Sequence, residues 1–226
     1  ENRMARALAD RLGREGVVQA LPGLWSGLAP AARRALCAAL DPPLPPAARP
    51  FFRDLFARPG TPVALRRHLV RPLALPPRPE SLPLLRRVLE EESDYILLRN
   101  AAGCLAQLPP SPARLEVVEL LLGMAHPMLV AAGIESLPGD DRPWLLRQLE
   151  DLLEREVRIS PIRPRAQVAA AMARRLAAAG GVESLDLFLD LVASRPRGDS
   201  ELYLELAPRF DGPRCLDHWL EAGLGS

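Results

Sequence analysis

The stretch "LRNAAGCLAQLPP" (98–110) lies 33 residues after "LRRHLVRPLALPP" (65–77), and both open with Leu-Arg and close with Leu-Pro-Pro. Apolar runs end on a leucine close to a proline at four places: Leu40, Leu75, Leu108 and Leu137. These leucines are 35, 33 and 29 residues apart. Self-similarity at a period of roughly 30–35 residues is typical of helical repeat arrays. The sequence therefore predicts a repeated helical unit.

Each period contains the pattern of two helices. Leu82, Leu85, Val88 and Leu89 recur at helical spacing, and a second helix is predicted from about Ile96 to Leu108. No segment shows the alternation and β-branched enrichment of a strand. We therefore expect an all-α fold, a right-handed α-solenoid of antiparallel helix pairs with an irregular N-terminal part. Further helices are predicted near 2–20, 30–40, 47–57, 62–74, 113–125, 127–137, 145–153, 168–179, 185–192, 200–207 and 213–222.

The segment "EESDYILLRNAAGCLAQL" (91–108) resembles a HEAT repeat of the bacterial, PBS-lyase-like kind. An acidic turn residue, Asp94, is followed five positions later by Arg99 and then by a helix of small residues. The resemblance covers residues 80–194 and is degenerate over residues 1–79. In that family such residues pair across successive repeats as a ladder. Here only this repeat carries both, Asp94 and Arg99, and the corresponding places in the next repeat are near His126 and Val130, so we expect the ladder to be broken. The resemblance also implies a scaffold role, although some relatives cleave damaged bases from DNA or attach bilins.

The composition indicates a bacterial genome and a reducing compartment. All 29 basic residues are arginine, and lysine is absent. Three distant cysteines, Cys37, Cys104 and Cys215, form no C-x-x-C pair, which argues against disulfides and favours the cytoplasm. The longest nearly uncharged run, 120–134, is too short to cross a membrane. The chain begins at Glu1 without methionine, so we expect a piece of a longer protein.

Charge divides the chain into two predicted regions. Residues 1–79 contain 13 arginines and five acidic residues, a formal charge of +8, and residues 80–226 carry −7. We expect a basic helical N-terminal region of degenerate repeats, followed by HEAT-like repeats that end in a capping helix. The arginines most suited to a partner surface are Arg33, Arg34, Arg66, Arg67 and Arg71. The alternative is a solvated arginine face in a protein that lacks lysine.

No catalytic motif is found, so the prediction is a protein that is not an enzyme and has no cofactor, catalytic residue or metal site. Cys215 and His218 have helical spacing, but zinc needs further ligands, and a capping helix explains them. The tripeptide Arg197–Asp199 is interpreted as a turn that precedes a helix. The group Asp140–Trp144 resembles the base-excising site of some HEAT-like proteins, but the preferred interpretation is a helix cap followed by a core tryptophan.

Three small residues are expected to pack in the interior. Cys104 is predicted to be a buried, unreactive thiol, and Gly103 and Gly133 to lie where helices approach closely. The first functional hypothesis is a non-catalytic scaffold domain of a larger bacterial protein that binds a protein or another domain of its own chain. The second is a nucleic-acid-binding or base-processing domain that uses the N-terminal arginines. Self-association is left open, and no membrane partner is expected.

Overall fold

The computed structural model describes residues 20–40, 42–159 and 165–193, together with Gly16, Leu206, Arg209 and Phe210. These residues form helices and no strand, which confirms the all-α prediction. A 3-10 turn at Trp25–Gly27 precedes ten α-helices in the described ranges. They are α1 (Pro30–Ala38), α2 (Arg49–Ala57), α3 (Val63–Ala74), α4 (Ser81–Glu91), α5 (Tyr95–Leu105), α6 (Pro112–Leu122), α7 (Pro127–Glu135), α8 (Arg142–Ile159), α9 (Ala166–Ala179) and α10 (Val182–Ala193).

Capping residues set where the helices begin. The carboxylate of Asp94 accepts a hydrogen bond from the Leu97 amide at 2.9 Å and starts α5. The hydroxyl of Ser111 accepts one from the Arg114 amide at 3.1 Å, and Pro112 takes the first position of α6. The first turn of a helix has N–H groups without a partner in the helix. Asp94 and Ser111 each accept a hydrogen bond from one of them, and Pro112 has no N–H to satisfy. The helix predicted near 113–125 therefore begins at Pro112.

Arginine side chains satisfy the carbonyl groups at the other ends of helices. The last four carbonyls of a helix have no partner within it and carry partial negative charge, so a guanidinium is a suitable donor. Each guanidinium donates to a carbonyl in or just beyond a last turn: Arg49 to Leu73 (2.5 Å), Arg114 to Leu105 (3.1 Å), Arg155 to Leu122 and Arg175 to Leu137 (2.5 Å). Part of the arginine content is therefore structural.

By its contacts the chain divides into two compact units, 1–117 and 118–226. In the first unit α3 packs against α1, α2, α4 and α5, and α4 also packs against α5. Leu69 of α3, Leu85 of α4 and Leu97 of α5 are fully buried. Helix α3 is thus the centre of this core. The change of charge between residues 79 and 80 falls inside the unit.

In the second unit α9 packs against α7, α8 and α10, and α8 packs against α10. Ala169 and Ala171 of α9 are fully buried, and such small side chains let helix backbones approach. A Cβ atom added to Gly133 of α7 would lie 2.9 Å from Leu122 Cδ2 and 3.0 Å from Leu121 Cβ. The predicted close approach at Gly133 is confirmed.

The same prediction is wrong for Gly103. A Cβ atom added there would meet no atom within 4 Å, and the residue is exposed on α5. Successive helical residues point about 100° apart, so Gly103 faces outward while its neighbours Ala102 and Cys104 face the core. Cys104 is 2% exposed, which confirms its predicted burial.

No described helix has both the length and the apolar character needed to cross a membrane. Several sequence predictions fall wholly or largely outside the described residues. These are the helices near 2–20, 200–207 and 213–222, the Arg197–Asp199 turn, and the pair Cys215 and His218.

Candidate functional site

Three of the five candidate partner-binding arginines, Arg33, Arg66 and Arg67, are held by contacts within the protein. Arg33 of α1 donates from Nε to the Trp25 carbonyl at 3.0 Å and from Nη2 to the Ser26 carbonyl at 3.1 Å. Its guanidinium carbon also lies 5.6 Å from the centroid of the Trp25 ring, a cation–π distance. Arg66 forms an ion pair with Glu92. These contacts fasten the turn before α1 and the segment between α4 and α5.

Arg67 and Asp94 form a bidentate ion pair between α3 and the start of α5. Nε donates to Oδ1 at 2.8 Å, and Nη2 donates to Oδ2 at 2.5 Å. These hydrogen bonds, aided by the Leu97 amide, hold the pKa of Asp94 at about 2 against the opposing effect of desolvation. Asp94 therefore pairs with an arginine of the preceding repeat unit in the sequence. Arg99, expected from the family resemblance to share the ladder, has no ion pair with any described residue.

A cleft of about 430 Å³ opens on the first unit, lined by α1, α3, α5 and the turns after α1 and α5. Its polar lining is Arg67, His68 and Arg71 from α3, and Arg99, Asn100 and Gln107 from α5 and the turn after it. None of the described residues that line it is a carboxylate. The described part of the lining thus presents guanidinium, imidazole and amide groups and no negative side chain.

The charge available to a ligand comes from Arg71 and Arg99. Both side chains belong to exposed residues, and neither has a hydrogen-bond or ion-pair partner among the described residues. Arg67 is already neutralised by Asp94. The pKa of His68 is lowered below its usual 6.5 by burial and by the charges of Arg34 and Arg67. The cleft therefore contains a neutral imidazole beside cations at pH 7.

Two cysteines form part of the floor. Burial raises the pKa of the Cys37 thiol to about 12 and that of the Cys104 thiol to about 11, although the Arg71 charge acts in the opposite direction on Cys104. Both thiols stay protonated at neutral pH, and a nucleophilic role needs the thiolate. Neither cysteine is therefore a candidate nucleophile at neutral pH.

Gly103 widens the cleft beside Arg99, one helical turn away on α5. No atom lies within 4 Å of where its Cβ would be, and its φ is not in the left-handed region. Glycine inside a helix costs about 0.5–1 kcal/mol relative to alanine. Neither packing nor backbone conformation accounts for it, and its effect is to leave open space in the lining.

A second cleft, of about 690 Å³, lies on the α2 and α4 side of the same unit. Four arginines line it, Arg49, Arg53, Arg78 and Arg87, together with Asp54 and Glu80. The two carboxylates reduce its positive charge. Its lining is positive but mixes both signs of charge, so the α1–α3–α5 cleft, whose described lining has no carboxylate, is the stronger candidate.

The second unit contains an ion pair that holds an acidic residue in the core. Glu156 is fully buried, and Arg165 binds it with both Nε (3.0 Å) and Nη2 (2.6 Å). Arg165 also donates to the Ala125 carbonyl at 2.5 Å. A charge buried this deeply needs such a partner. The pair is a structural link between the end of α8, the start of α9 and the turn before α7.

The acidic group Asp140–Trp144 is used as a helix start. Asp141 accepts a hydrogen bond from the Trp144 amide at 3.1 Å and caps α8. Trp144 is half-buried, so it is less buried than the core tryptophan that the sequence predicted. Among the described residues no three histidine, cysteine, aspartate or glutamate side chains are grouped as metal ligands would be.

Sequence reasoning named Arg67, Arg71 and Arg99, assigned Gly103 to helix packing, and missed His68, Asn100 and Gln107. The overlooked signal was helical spacing, since positions 67, 68 and 71 share one face of α3 and positions 99, 103 and 107 recur every fourth residue. A hydrogen bond also joins α3 and α5 at residues that are one sequence period of 33 residues apart. The Asn100 amide donates to the Arg67 carbonyl at 3.0 Å across 33 residues.

No protein-family model matches this chain, and no curated protein or solved structure shows significant similarity to it.

Proposed function

We propose that this chain is a non-catalytic protein-interaction domain whose α1–α3–α5 cleft binds an acidic segment of a partner protein. The observation that carries the proposal is the lining of the cleft. It combines two unpaired guanidiniums, an imidazole and two side-chain amides with no described carboxylate. Such a surface attracts extended acidic chains and repels basic ones.

The proposal includes a HEAT-like array of helix pairs. Two features support it. Helices α1, α3 and α5 contact one another in the order α1–α3–α5, each skipping the intervening helix, and α7 contacts α9 in the same way within the second unit. The Asn100–Arg67 hydrogen bond joins equivalent positions of two periods. In an array of this kind, alternate helices form one continuous surface suited to an extended ligand.

A protein partner fits the cleft better than a nucleic acid. Sequence-tolerant binding of single strands uses aromatic side chains on which bases stack. No described residue that lines the cleft is Phe, Tyr or Trp. Residues 80–226 also carry a formal −7, which opposes a phosphate backbone along the rest of the chain. The nucleic-acid alternative rests on the +8 of residues 1–79.

Fluorescence anisotropy with a short peptide of alternating Glu and Gly tests the proposal, at an ionic strength of about 0.15 M. We expect this peptide to bind and a Gln-Gly peptide of equal length not to bind. Arg99→Gln and Arg71→Gln should each weaken binding. Arg58→Gln is the matched control because Arg58 is exposed on the same unit and outside both clefts.

Two results would contradict the proposal. One is an Arg58→Gln effect as large as that of Arg99→Gln, because net charge rather than the cleft would then govern binding. The other is tighter binding of a single-stranded oligonucleotide of the same charge, with log affinity falling linearly with log salt. That result would favour the nucleic-acid alternative.

A further inference from the structure

The unpaired cations of the cleft come from two different helices. Arg71 lies on α3 and Arg99 on α5, and both line the same cavity of about 430 Å³. Arg67, one turn before Arg71, differs because Asp94 neutralises it with two hydrogen bonds. The cleft therefore keeps a formal charge of +2 without a described counter-charge, and His68 adds a third positive charge when it is protonated.

A carboxylate can neutralise only one of these two arginines. It carries a single negative charge, and one guanidinium satisfies both of its oxygens in a bidentate pair. A phosphate monoester carries about −1.5 to −2 at pH 7 and has three terminal oxygens. It can accept from guanidiniums on two sides at once. A phosphodiester of a nucleic acid has one charge and two terminal oxygens, so it matches the pair of arginines less well.

Gly103 provides the room that a phosphorylated segment requires. It lies one turn after Arg99 on the lining of the cleft, and the space where a Cβ would be is open. A side chain at this position would start in open space one helical turn from Arg99, since its Cβ would meet no protein atom within 4 Å. The glycine thus keeps a path for a ligand backbone along α5.

We infer that the anchoring group of the acidic ligand is a phosphorylated serine or threonine, clamped between Arg71 and Arg99 beside Gly103. This inference rests on the proposed function, since it specifies which acidic segment the same cleft binds. Arg71 and Arg99 donate to the phosphate oxygens, and the backbone of the segment passes over Gly103. Glutamate and aspartate at neighbouring positions add to the attraction without providing the anchor.

The test compares three degenerate peptide libraries that differ only in the central residue, which is phosphoserine, glutamate or serine. Anisotropy with the intact chain should give an affinity about tenfold or more higher for phosphoserine than for glutamate, as expected for one further charge-assisted hydrogen-bonded pair. Arg71→Gln and Arg99→Gln should each remove most of that ratio. Arg58→Gln should leave the ratio unchanged, and circular dichroism should report the same helix content in all variants.

The outcomes separate this inference from the proposed function. Equal affinity for the phosphoserine and glutamate libraries would overturn the phosphate anchor and leave the acidic-segment proposal standing. Absence of binding by both libraries would overturn both. A phosphoserine preference that survives Arg71→Gln and Arg99→Gln would place the anchor elsewhere and also overturn the inference. Gly103→Leu provides a check that does not alter charge, and it should weaken binding of the phosphoserine library.

Discussion

Arg67 and Asp94, 27 residues apart, join α3 to the start of α5 through two parallel hydrogen bonds of 2.8 and 2.5 Å. Asp94 does two things at once, because the same carboxylate accepts the Leu97 amide and caps α5. The pair therefore ties the position of one helix to the start of another. It also neutralises Arg67 in the cleft, whereas Arg71 and Arg99 have no ion-pair partner among the described residues.

Substitution of Asp94 should separate its two roles. Asp94→Ala loses the cap and the ion pair and should lower the free energy of unfolding by at least about 1 kcal/mol, the usual value of an N-cap. Asp94→Asn keeps a capping oxygen and should lose less. Urea unfolding at pH 7 measures both. Equal losses in the two variants would show that the cap contributes nothing.

The same carboxylate should make stability depend on pH in the acid range. Its folded-state pKa of about 2 lies below the usual 3.8, so the stabilisation is complete above about pH 4 and is lost as the pH falls towards 2. Urea unfolding of the parent chain and of Asp94→Asn should therefore converge between these pH values. A constant difference between them would contradict the pairing with Arg67.

Ligand binding should raise the pKa of His68. In the empty cleft burial and the charges of Arg34 and Arg67 lower it, whereas an anion in the cleft favours the protonated imidazole. Binding of a Glu-Gly peptide should therefore tighten as the pH falls from about 7.5 to about 6. A peptide without phosphate avoids protonation of the ligand in this range. The His68 imidazole proton shift in NMR spectra reports the pKa directly, and His68→Gln should flatten the affinity profile.

The two helical glycines should respond oppositely to leucine. Gly133→Leu should lower the free energy of unfolding by about 1–3 kcal/mol or more, since its Cβ would meet Leu121 and Leu122 at 3.0 Å or less. Gly103→Leu should raise it by up to about 1 kcal/mol, because leucine favours helix and the site is open. Urea unfolding with unchanged m-values checks both. A destabilised Gly103→Leu would mean that the cleft is closed in solution.

Cys104 should behave as a small apolar residue. Cys104→Ser should cost about 1–3 kcal/mol, because the hydroxyl replaces a thiol that is 2% exposed. Cys104→Ala is the matched control without a polar atom, and it should cost less. A thiol reagent should label Cys37 and Cys104 slowly in folded protein whose Cys215 is replaced by serine. Rapid labelling of Cys104 would contradict its burial and its raised pKa.

Local patterns in the sequence predicted most of the helices. The spacing of Leu85, Val88 and Leu89 marks α4, and Ser111-Pro112 marks the start of α6, because apolar periodicity and capping act over only a few residues. The same patterns identified Gly133 as a packing position and Cys104 as buried. Gly103 was assigned wrongly since a small residue suits a tight contact and an open cleft equally well.

The cleft depends on tertiary structure. The sequence by itself determined an all-helical chain, its period of about 33 residues and its basic first part. Only packing decided which arginines are used internally and which stay unpaired, because a guanidinium reaches partners on any adjacent helix. Arg66 and Arg99 occupy equivalent positions of the period, yet Arg66 pairs with Glu92 while Arg99 opens into the cleft. Charge counted along a chain cannot distinguish these two outcomes, since the counter-charge comes from a different helix.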